Sequence, residues 1–270
     1  MESLDLTPAE SLIITSPDSN GTEMIKLTLM DLILKKALNV NMEYFESRFS
    51  KNNYKTTFIS INKSYKSDFK PHEEILMRII DNNELELKEF IKTLFKRLTS
   101  SDYKNIYVRG HLVDKGYLIK QRKMLLALLP YNTYVLTDKG VELKSMIMEL
   151  LNEAKYLDKW IKEDLGRAKA YLSVMGSHIL LTKTYDIEDI KKFNRMLSYI
   201  KPAAKTSDYY YYYMYTVPVD FLDDQGDPKS FDFLDISLLD NFDSFGDFFS
   251  DFDAGSGGGC CRRDSEGKSN

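Results

Sequence analysis

The stretch YKNIYVRGHLVDKGYLIKQRKMLLALLPYNTYVLTDKGVEL, residues 103–143, decides the fold of this chain. Its patterns predict a helix, a turn, a basic strand, an apolar connection and a second helix, in that order. Gly116 stands at a helix C′ position, where a left-handed residue is favoured. Strands over Tyr117 to Lys123 and Thr133 to Thr137 would pair across MLLALLPYN. The order of helix, hairpin and helix predicts a small winged-helix-like unit.

Helical patterns on both sides of this unit predict a mainly α protein. In LTPAESLII, Thr7 and Glu10 have the capping-box spacing. Apolar spacing predicts a core helix from Met24 to Val40, and residues 44–65 are expected to form a hairpin or edge strands. Further helices are expected at 72–81, 87–98, 102–115, 138–151, 153–182 and 187–200. In the helix at 102–115, Ile106, Val108, Leu112 and Val113 should point mostly inward. The helix at 153–182 should break near Gly166 or Gly176.

These elements define a compact multi-helix domain over residues 6–200, mainly α with a small winged-helix-like β-hairpin. A tail over residues 201–270 follows. The tail has the composition of a disordered segment that binds a partner, because acidic and aromatic residues alternate in SFDFLDISLLDNFDSFGDFFSDFD before a Gly-rich end.

Charge is unevenly divided between these two parts. The 270-residue chain has a net charge of −4, yet residues 1–205 contain 33 basic and 27 acidic residues, whereas the chain from Thr206 onward contains 4 basic and 14 acidic residues. A basic body with an acidic tail favours an anionic partner for the body. The tail itself would act as an autoinhibitory mimic of that partner, as a recruitment arm for another protein, or only as a solubilising segment.

The cysteines and the hydropathy pattern predict a cytoplasmic protein that meets membranes peripherally. The two cysteines, Cys260 and Cys261, are adjacent and lie in the tail, so the body is built without disulfides, as is usual in a reducing compartment. They are either reversibly acylated or plain exposed thiols. The sequence has no N-terminal signal pattern and no apolar run long enough to span a bilayer.

A basic surface beside an apolar hairpin tip is the candidate binding feature. Near an anionic membrane each basic residue contributes about 1 kcal/mol, and each leucine buried in lipid about 1.5–3 kcal/mol. The alternative is that the leucines pack in the core. The residues expected to contact lipid phosphates are Lys104, Arg109, Lys115, Arg122 and Lys123, with Lys120 beside them, and those expected to enter the membrane are Leu125, Leu126, Leu128 and Leu129.

Several segments carry a resemblance to a known family. LVDKG at 112–116, followed by YLIKQRK, MLLALLPYNTYVLTD and KSMIMELL, is similar to the centre of the Golgi phosphoprotein 3-like family. LTPAESLII and LTLMDLILKKAL resemble the family's first helices, so the resemblance covers about residues 6–200. It implies a non-catalytic, mostly helical peripheral membrane protein that binds phosphatidylinositol 4-phosphate and inserts an apolar hairpin into the bilayer.

The headgroup pocket of that family does not carry over fully to this sequence. Asp102 and Asn105 stand where the resemblance implies basic residues, and either Ile25 or Lys26 lies near the other basic position of the pocket. The family's aromatic residue has no counterpart upstream, because the single tryptophan is Trp160. Phosphatidylinositol 4-phosphate is therefore implied by the resemblance and not by matched pocket residues.

Two other functions compete for the same residues. In a winged-helix DNA-binding regulator, the helix near 101–110 would enter a groove while Arg122 and Lys123 contact phosphates. The apolar tip MLLALLP argues against this, since a DNA wing is normally polar. An enzyme is not expected: His72, His111 and His178 are far apart in sequence, and no catalytic residue, metal site or cofactor is predicted.

Overall fold

The computed structural model describes residues 5–45, 54–81, 84–125 and 129–182, and the predicted helix at 187–200 and the tail at 201–270 lie outside these ranges. The helices are α1 (Pro8–Thr15), α2 (Gly21–Leu34), α3 (Pro71–Ile80), α4 (Leu87–Arg97), the composite α5 (Ser100–Asp102, Tyr103–Val108 and Arg109–Asp114), α6 (Asp138–Glu153), α7 (Leu157–Glu163) and α8 (Leu165–Met175), with 3₁₀ turns at Ala154–Tyr156 and Gly176–Leu181. The strands are β1 (Leu38–Phe45), β2 (Tyr54–Ile61), β3 (Leu85–Glu86), β4 (Leu118–Leu125) and β5 (Leu129–Leu136).

The architecture is mainly α with two small antiparallel sheets, as the predicted fold class requires. β1, β2 and β3 form one sheet in that order, and β4 pairs with β5 in the other. Helix α2 lies at the centre of the core and packs against α1, α3 and α5. Its side chains are buried nearly all round, from Met24 to Leu34. A helix that is apolar on every side is stable only when other elements surround it.

Helix α1 begins as its sequence predicts. The Thr7 hydroxyl accepts a hydrogen bond from the Glu10 amide at 3.3 Å, and the Glu10 carboxylate accepts one from the Thr7 amide at 2.8 Å. This is the reciprocal capping box, with Pro8 in the first helical turn. Unlike most capping boxes it is fully buried, because α1 packs against α2, α6 and the Gly176–Leu181 turn.

The predicted core helix from Met24 to Val40 is wrong at its C-terminal end. Helix α2 stops at Leu34, and Leu38 already begins β1. Lys36 has a φ of 59°, and the amides of Lys36 and Ala37 bond to the carbonyls of Ile33 and Leu32. This is a Schellman ending formed without glycine. No glycine or proline marks this ending in the sequence, and β1 therefore begins earlier than the predicted hairpin region at 44–65.

Helix α5 contains a π-helical segment, Tyr103–Val108, in its middle. A wider turn shifts the phase of the side chains that precede and follow it. Val108 and Leu112 are buried and Val113 is partly buried, as predicted, but Ile106 is 60% exposed instead of inward. Tyr103, the first residue of the π-helical segment, is fully buried, and its hydroxyl lies 2.8 Å from Thr28 Oγ1.

The remaining boundaries follow the sequence closely. α3, α4 and α6 occupy the expected ranges, and the 153–182 region breaks at Asp164, two residues before Gly166, and again at Gly176, where φ is 49°. Gly116, with a φ of 75°, ends α5 at the predicted position. No helix within the described ranges has both the length and the apolarity needed to cross a bilayer.

Candidate functional site

The hairpin formed by β4 and β5 carries most of the residues predicted to bind a surface. Its register runs from Leu118 opposite Leu136 to Leu125 opposite Leu129. Both strands extend further into MLLALLPYN than predicted, so residues 126–128 alone join them. The four hairpin side chains Ile119, Met124, Tyr131 and Val135 are half of the large apolar side chains that are exposed in the described part of the chain.

The exposure pattern of β4 differs from that of a strand that covers a core. Leu118 is buried, but every residue from Ile119 to Met124 is exposed, whichever face of the ribbon it occupies. Successive side chains of a strand point to opposite faces. Both faces of β4 are therefore exposed beyond its first residue, whereas Thr133 and Tyr134 on β5 are half-buried.

The base of the hairpin is held firmly to the helices on either side. Thr137 caps α6, its hydroxyl donates to the Gly116 carbonyl at 2.8 Å, and its amide donates to the Tyr117 carbonyl at 3.1 Å. Gly140 lies so close that a Cβ there would be 2.2 Å from the Tyr117 oxygen. The contact of Gly140 with the Tyr117 backbone fixes the direction in which the ribbon leaves the body.

Lys104 and Arg109 come together on α5 but face the loop before α2. Lys104 Nζ donates to the Ser19 carbonyl at 2.7 Å, and Arg109 Nη2 donates to the Pro17 carbonyl at 2.6 Å. Burial and the nearby Arg109 charge lower the pKa of Lys104. Both cations therefore stabilise the loop, in addition to any contact with a ligand.

Arg109 also joins α5 to the hairpin. Its guanidinium lies 4.8 Å from the centre of the Tyr134 ring, and its Nη1 donates to Asn105 Oδ1 at 2.9 Å. A cation over an aromatic face is attracted to the ring's negative quadrupole. Asn105 thus holds an arginine from the next turn of the same helix.

The other predicted lipid-binding residues are dispersed around this region. Arg122 and Lys123 are exposed neighbours on β4 and point to opposite faces, while Lys115 is exposed just after α5. Lys26 is half-buried on α2. The structure therefore brings Lys104 and Arg109 together and leaves the hairpin cations on a separate surface.

Two of the four predicted membrane-inserting leucines belong to the described strands of the hairpin. Leu125 and Leu129 are the last paired residues, whereas Leu126 and Leu128 fall in 126–128, outside the described residues.

A buried polar cluster, made of Glu10, His72 and His111, was missed from the sequence. It is called the His–Glu cluster below. His111 Nδ1 lies 2.5 Å from Glu10 Oε1, and His72 Nε2 lies 2.9 Å from Thr7 Oγ1. The two imidazole rings are 6.5 Å apart between centroids. Its members come from α1, α3 and α5, which meet only in the folded chain, so their sequence spacing carries no signal of it.

Lys70 supplies the positive charge of this region. Its Nζ lies 2.9 Å from Glu10 Oε2, and it also donates to the Asp5 carbonyl. Burial alone would raise the pKa of Glu10, but the hydrogen bond from His111 and the charge of Lys70 outweigh burial and hold it well below its usual range. Glu10 is therefore a buried, ionised carboxylate with both oxygens in use.

The histidines of the core are neutral at neutral pH. Burial lowers the pKa of His72 to about 4, and burial does the same for His178, whose Nε2 lies 2.9 Å from Ser11 Oγ. His72 Nδ1 is buried and has no hydrogen-bond partner among the described residues. His178 lies against the same helix α1 but is not part of the His–Glu cluster.

No family model matches this sequence, and no curated protein matches it. The similarity to the Golgi phosphoprotein 3-like family therefore stays a prediction from the quoted segments.

Proposed function

We propose that this protein binds anionic phospholipid membranes peripherally, by inserting the tip of the β4–β5 hairpin between the headgroups. The observation that carries the proposal is the hairpin itself, which is anchored at its base and whose strand β4 is exposed on both faces from Ile119 to Met124, with cationic and apolar side chains intermixed. Exposure of apolar side chains to water is unfavourable in free energy, and contact with lipid or with a protein partner removes that exposure.

The spacing along β4 suits insertion with the tip first. A strand rises about 3.3 Å per residue, so Lys123 and Arg122 lie roughly 7–10 Å behind Leu125. Interfacial segments bury their apolar part about 5–10 Å deep. Leucines at the tip would then enter the acyl region while the two cations reach the phosphates. Because Arg122 and Lys123 point to opposite faces, an upright ribbon lets both contact lipid.

The partner strand supports the same orientation. Tyr131 pairs with Lys123 in the hairpin register and is 45% exposed. Tyrosine is enriched at the level of the headgroups, where its apolar ring contacts lipid and its hydroxyl remains hydrated. Lys120, Arg122 and Lys123 together contribute about 3 kcal/mol near an anionic surface, so electrostatics and apolar burial are both needed for stable binding.

The exposed apolar residues favour a membrane over duplex DNA. Met124 is 56% exposed next to the tip, and Ile119 is exposed opposite Val135. A DNA wing would place such side chains against phosphates without any gain from burial. The similarity to the Golgi phosphoprotein 3-like family supports the same proposal and names phosphatidylinositol 4-phosphate as the lipid to test. The protein would then act in the cytoplasm as a non-catalytic adaptor.

The test is co-sedimentation of the full chain with vesicles of phosphatidylcholine alone, with added phosphatidylserine, and with added phosphatidylinositol 4-phosphate, beside a duplex-DNA titration. We expect binding to both anionic vesicles that weakens with salt, and stronger binding to the phosphoinositide if the headgroup is recognised. Arg122→Ala with Lys123→Ala should weaken it roughly 30-fold, which corresponds to about 2 kcal/mol. Leu126→Asp should weaken it further.

The matched control is Lys96→Ala with Arg97→Ala, an exposed Lys–Arg pair at the end of α4. If this pair matters as much as the hairpin pair, the binding is non-specific attraction to the basic body. Salt-sensitive DNA binding without vesicle binding would replace the proposal with the DNA-binding alternative.

A further inference from the structure

Apart from the hairpin, the His–Glu cluster is the strongest constellation of reactive side chains in the described residues. One nitrogen of each histidine and one carboxylate oxygen lie within 4.8 Å of one another. We propose that Glu10, His72 and His111 form a binding site for a divalent transition-metal ion, and that zinc is the ion this donor set suits. The proposal does not depend on the membrane-binding function.

The donor types match those that zinc and related ions prefer. Two imidazoles and one carboxylate are a common set for zinc and for iron(II). Hard ions such as Mg²⁺ prefer oxygen ligands only. Three protein ligands leave a fourth position free, and His111, whose side chain is 13% exposed, lies on the side of the cluster that solvent can reach.

The three donors already lie near the positions that a metal requires. Zinc bonds of about 2.0–2.1 Å place tetrahedral ligand atoms roughly 3.4 Å apart. The Glu10–His111 contact of 2.5 Å would widen by about 1 Å, with a metal replacing the shared proton, and that proton would leave to solvent. The donor atoms lie at most 4.8 Å apart, so the longest separation would have to shorten by about 1.4 Å when an ion binds.

Surrounding groups orient two of the three ligands. Thr7 holds Glu10 through its amide and His72 through its hydroxyl. Lys70 occupies Glu10 Oε2 and so leaves Oε1 as the oxygen that faces His111. Partners of this kind fix ligand orientation in metal sites. His72 Nδ1 is a further buried nitrogen that has no hydrogen-bond partner among the described groups.

Lys70 also opposes the metal, and this gives the proposal a distinctive consequence. An ammonium on the same carboxylate repels a second cation, and the repulsion is strong where water is excluded. Replacing Lys70 by methionine removes that repulsion. The change also leaves the negative Glu10 carboxylate without its ammonium partner. A purely structural ion pair would be weakened by this change, whereas a metal site should be strengthened.

The experiment is a calorimetric titration of the full chain with ZnCl₂, in a Cys260→Ser and Cys261→Ser background without a polyhistidine tag, followed by the visible absorption of added Co²⁺. We expect one ion per chain and a rise in melting temperature on binding. Glu10→Gln and His111→Gln should each weaken zinc binding by at least about 100-fold. Lys70→Met should strengthen it by roughly tenfold.

The matched control is His178→Gln, which removes a buried histidine that contacts α1 from outside the cluster and should leave zinc affinity unchanged. If Glu10→Gln fails to fold, the zinc affinities of His111→Gln and Lys70→Met still test the proposal, because the His111 side chain is partly exposed. The proposal is overturned if the parent chain binds no stoichiometric zinc, if His111→Gln binds as well as its parent, or if Lys70→Met binds no better than its parent.

Discussion

The β4–β5 hairpin and the His–Glu cluster place polar groups in opposite settings. The hairpin is built from residues close together in the chain, and its cations remain in water. The cluster unites residues from three helices, and its carboxylate has no solvent exposure. Charges in water contribute little to folding and remain available to a partner, whereas a buried charge depends on each of its neighbours. Mutations should therefore alter binding at the hairpin and stability at the cluster.

The largest stability effect is expected from Glu10→Ala. This change leaves the Lys70 ammonium and the His111 ring without their buried partner, and breaking a buried pair in this way costs about 3–5 kcal/mol. Urea unfolding of the full chain, followed by circular dichroism, measures the loss. The control Glu89→Ala breaks an exposed pair with Lys92 and should cost less than about 1 kcal/mol. Equal losses would show that burial does not distinguish the two sites.

The pH dependence of stability should come from buried histidines and not from the hairpin. The pKa of His72 and of His178 is about 4 in the folded chain, against a usual value of 6.5. Between these values the unfolded chain binds more protons, so the stabilisation is fully present above pH 6.5 and is lost as the pH falls towards 4.

Each histidine should contribute on the order of 3 kcal/mol to that loss. The lowered pKa of Glu10 acts in the same direction at still lower pH. Urea titrations across this range measure the slope, and His178→Gln should make it shallower. An unchanged slope in that variant would mean that folding does not shift the pKa of His178.

A third, smaller effect is expected where the hairpin meets the body. Gly140→Ala places a Cβ against the Tyr117 carbonyl, so the hairpin base must shift, at a cost of about 1–3 kcal/mol. Gly110→Ala is the matched change, because the nearest atom to its Cβ is 4.0 Å away, and alanine should stabilise that helix by about 0.5–1 kcal/mol. Thermal unfolding compares them, and effects of the same sign would contradict the packing at Gly140.

The smallest effect compares two N-caps. Thr7 and Thr137 both cap helices, but Thr7 is buried and also contacts His72. Thr137→Ala should cost about 1 kcal/mol, the usual value for a cap. Thr7→Ala should cost roughly 1–2 kcal/mol more, since it also leaves buried groups of the cluster without a partner. Chemical denaturation of both variants measures the difference, and equal costs would indicate that the cluster does not depend on Thr7.

Local sequence predicted much of the fold. The capping box at Thr7 and Glu10 and the stop at Gly116 each involve residues within a few positions, so the local sequence pattern is enough to indicate them. The predictions that failed depended on packing. Lys36 adopts a left-handed conformation because the chain must turn into β1, and Ile106 is exposed because a π-helical turn changes the phase of α5.

The same division holds for the two candidate sites. The sequence alone determined the hairpin and the cations of its first strand, since alternation and turn position are local properties of the chain. Only the tertiary structure decided that Lys104 and Arg109 face the loop before α2, and that Glu10, His72 and His111 share one buried space. Contacts between residues that are distant in the sequence depend on how the helices pack around α2. The spacing of residues along the sequence does not reveal that packing.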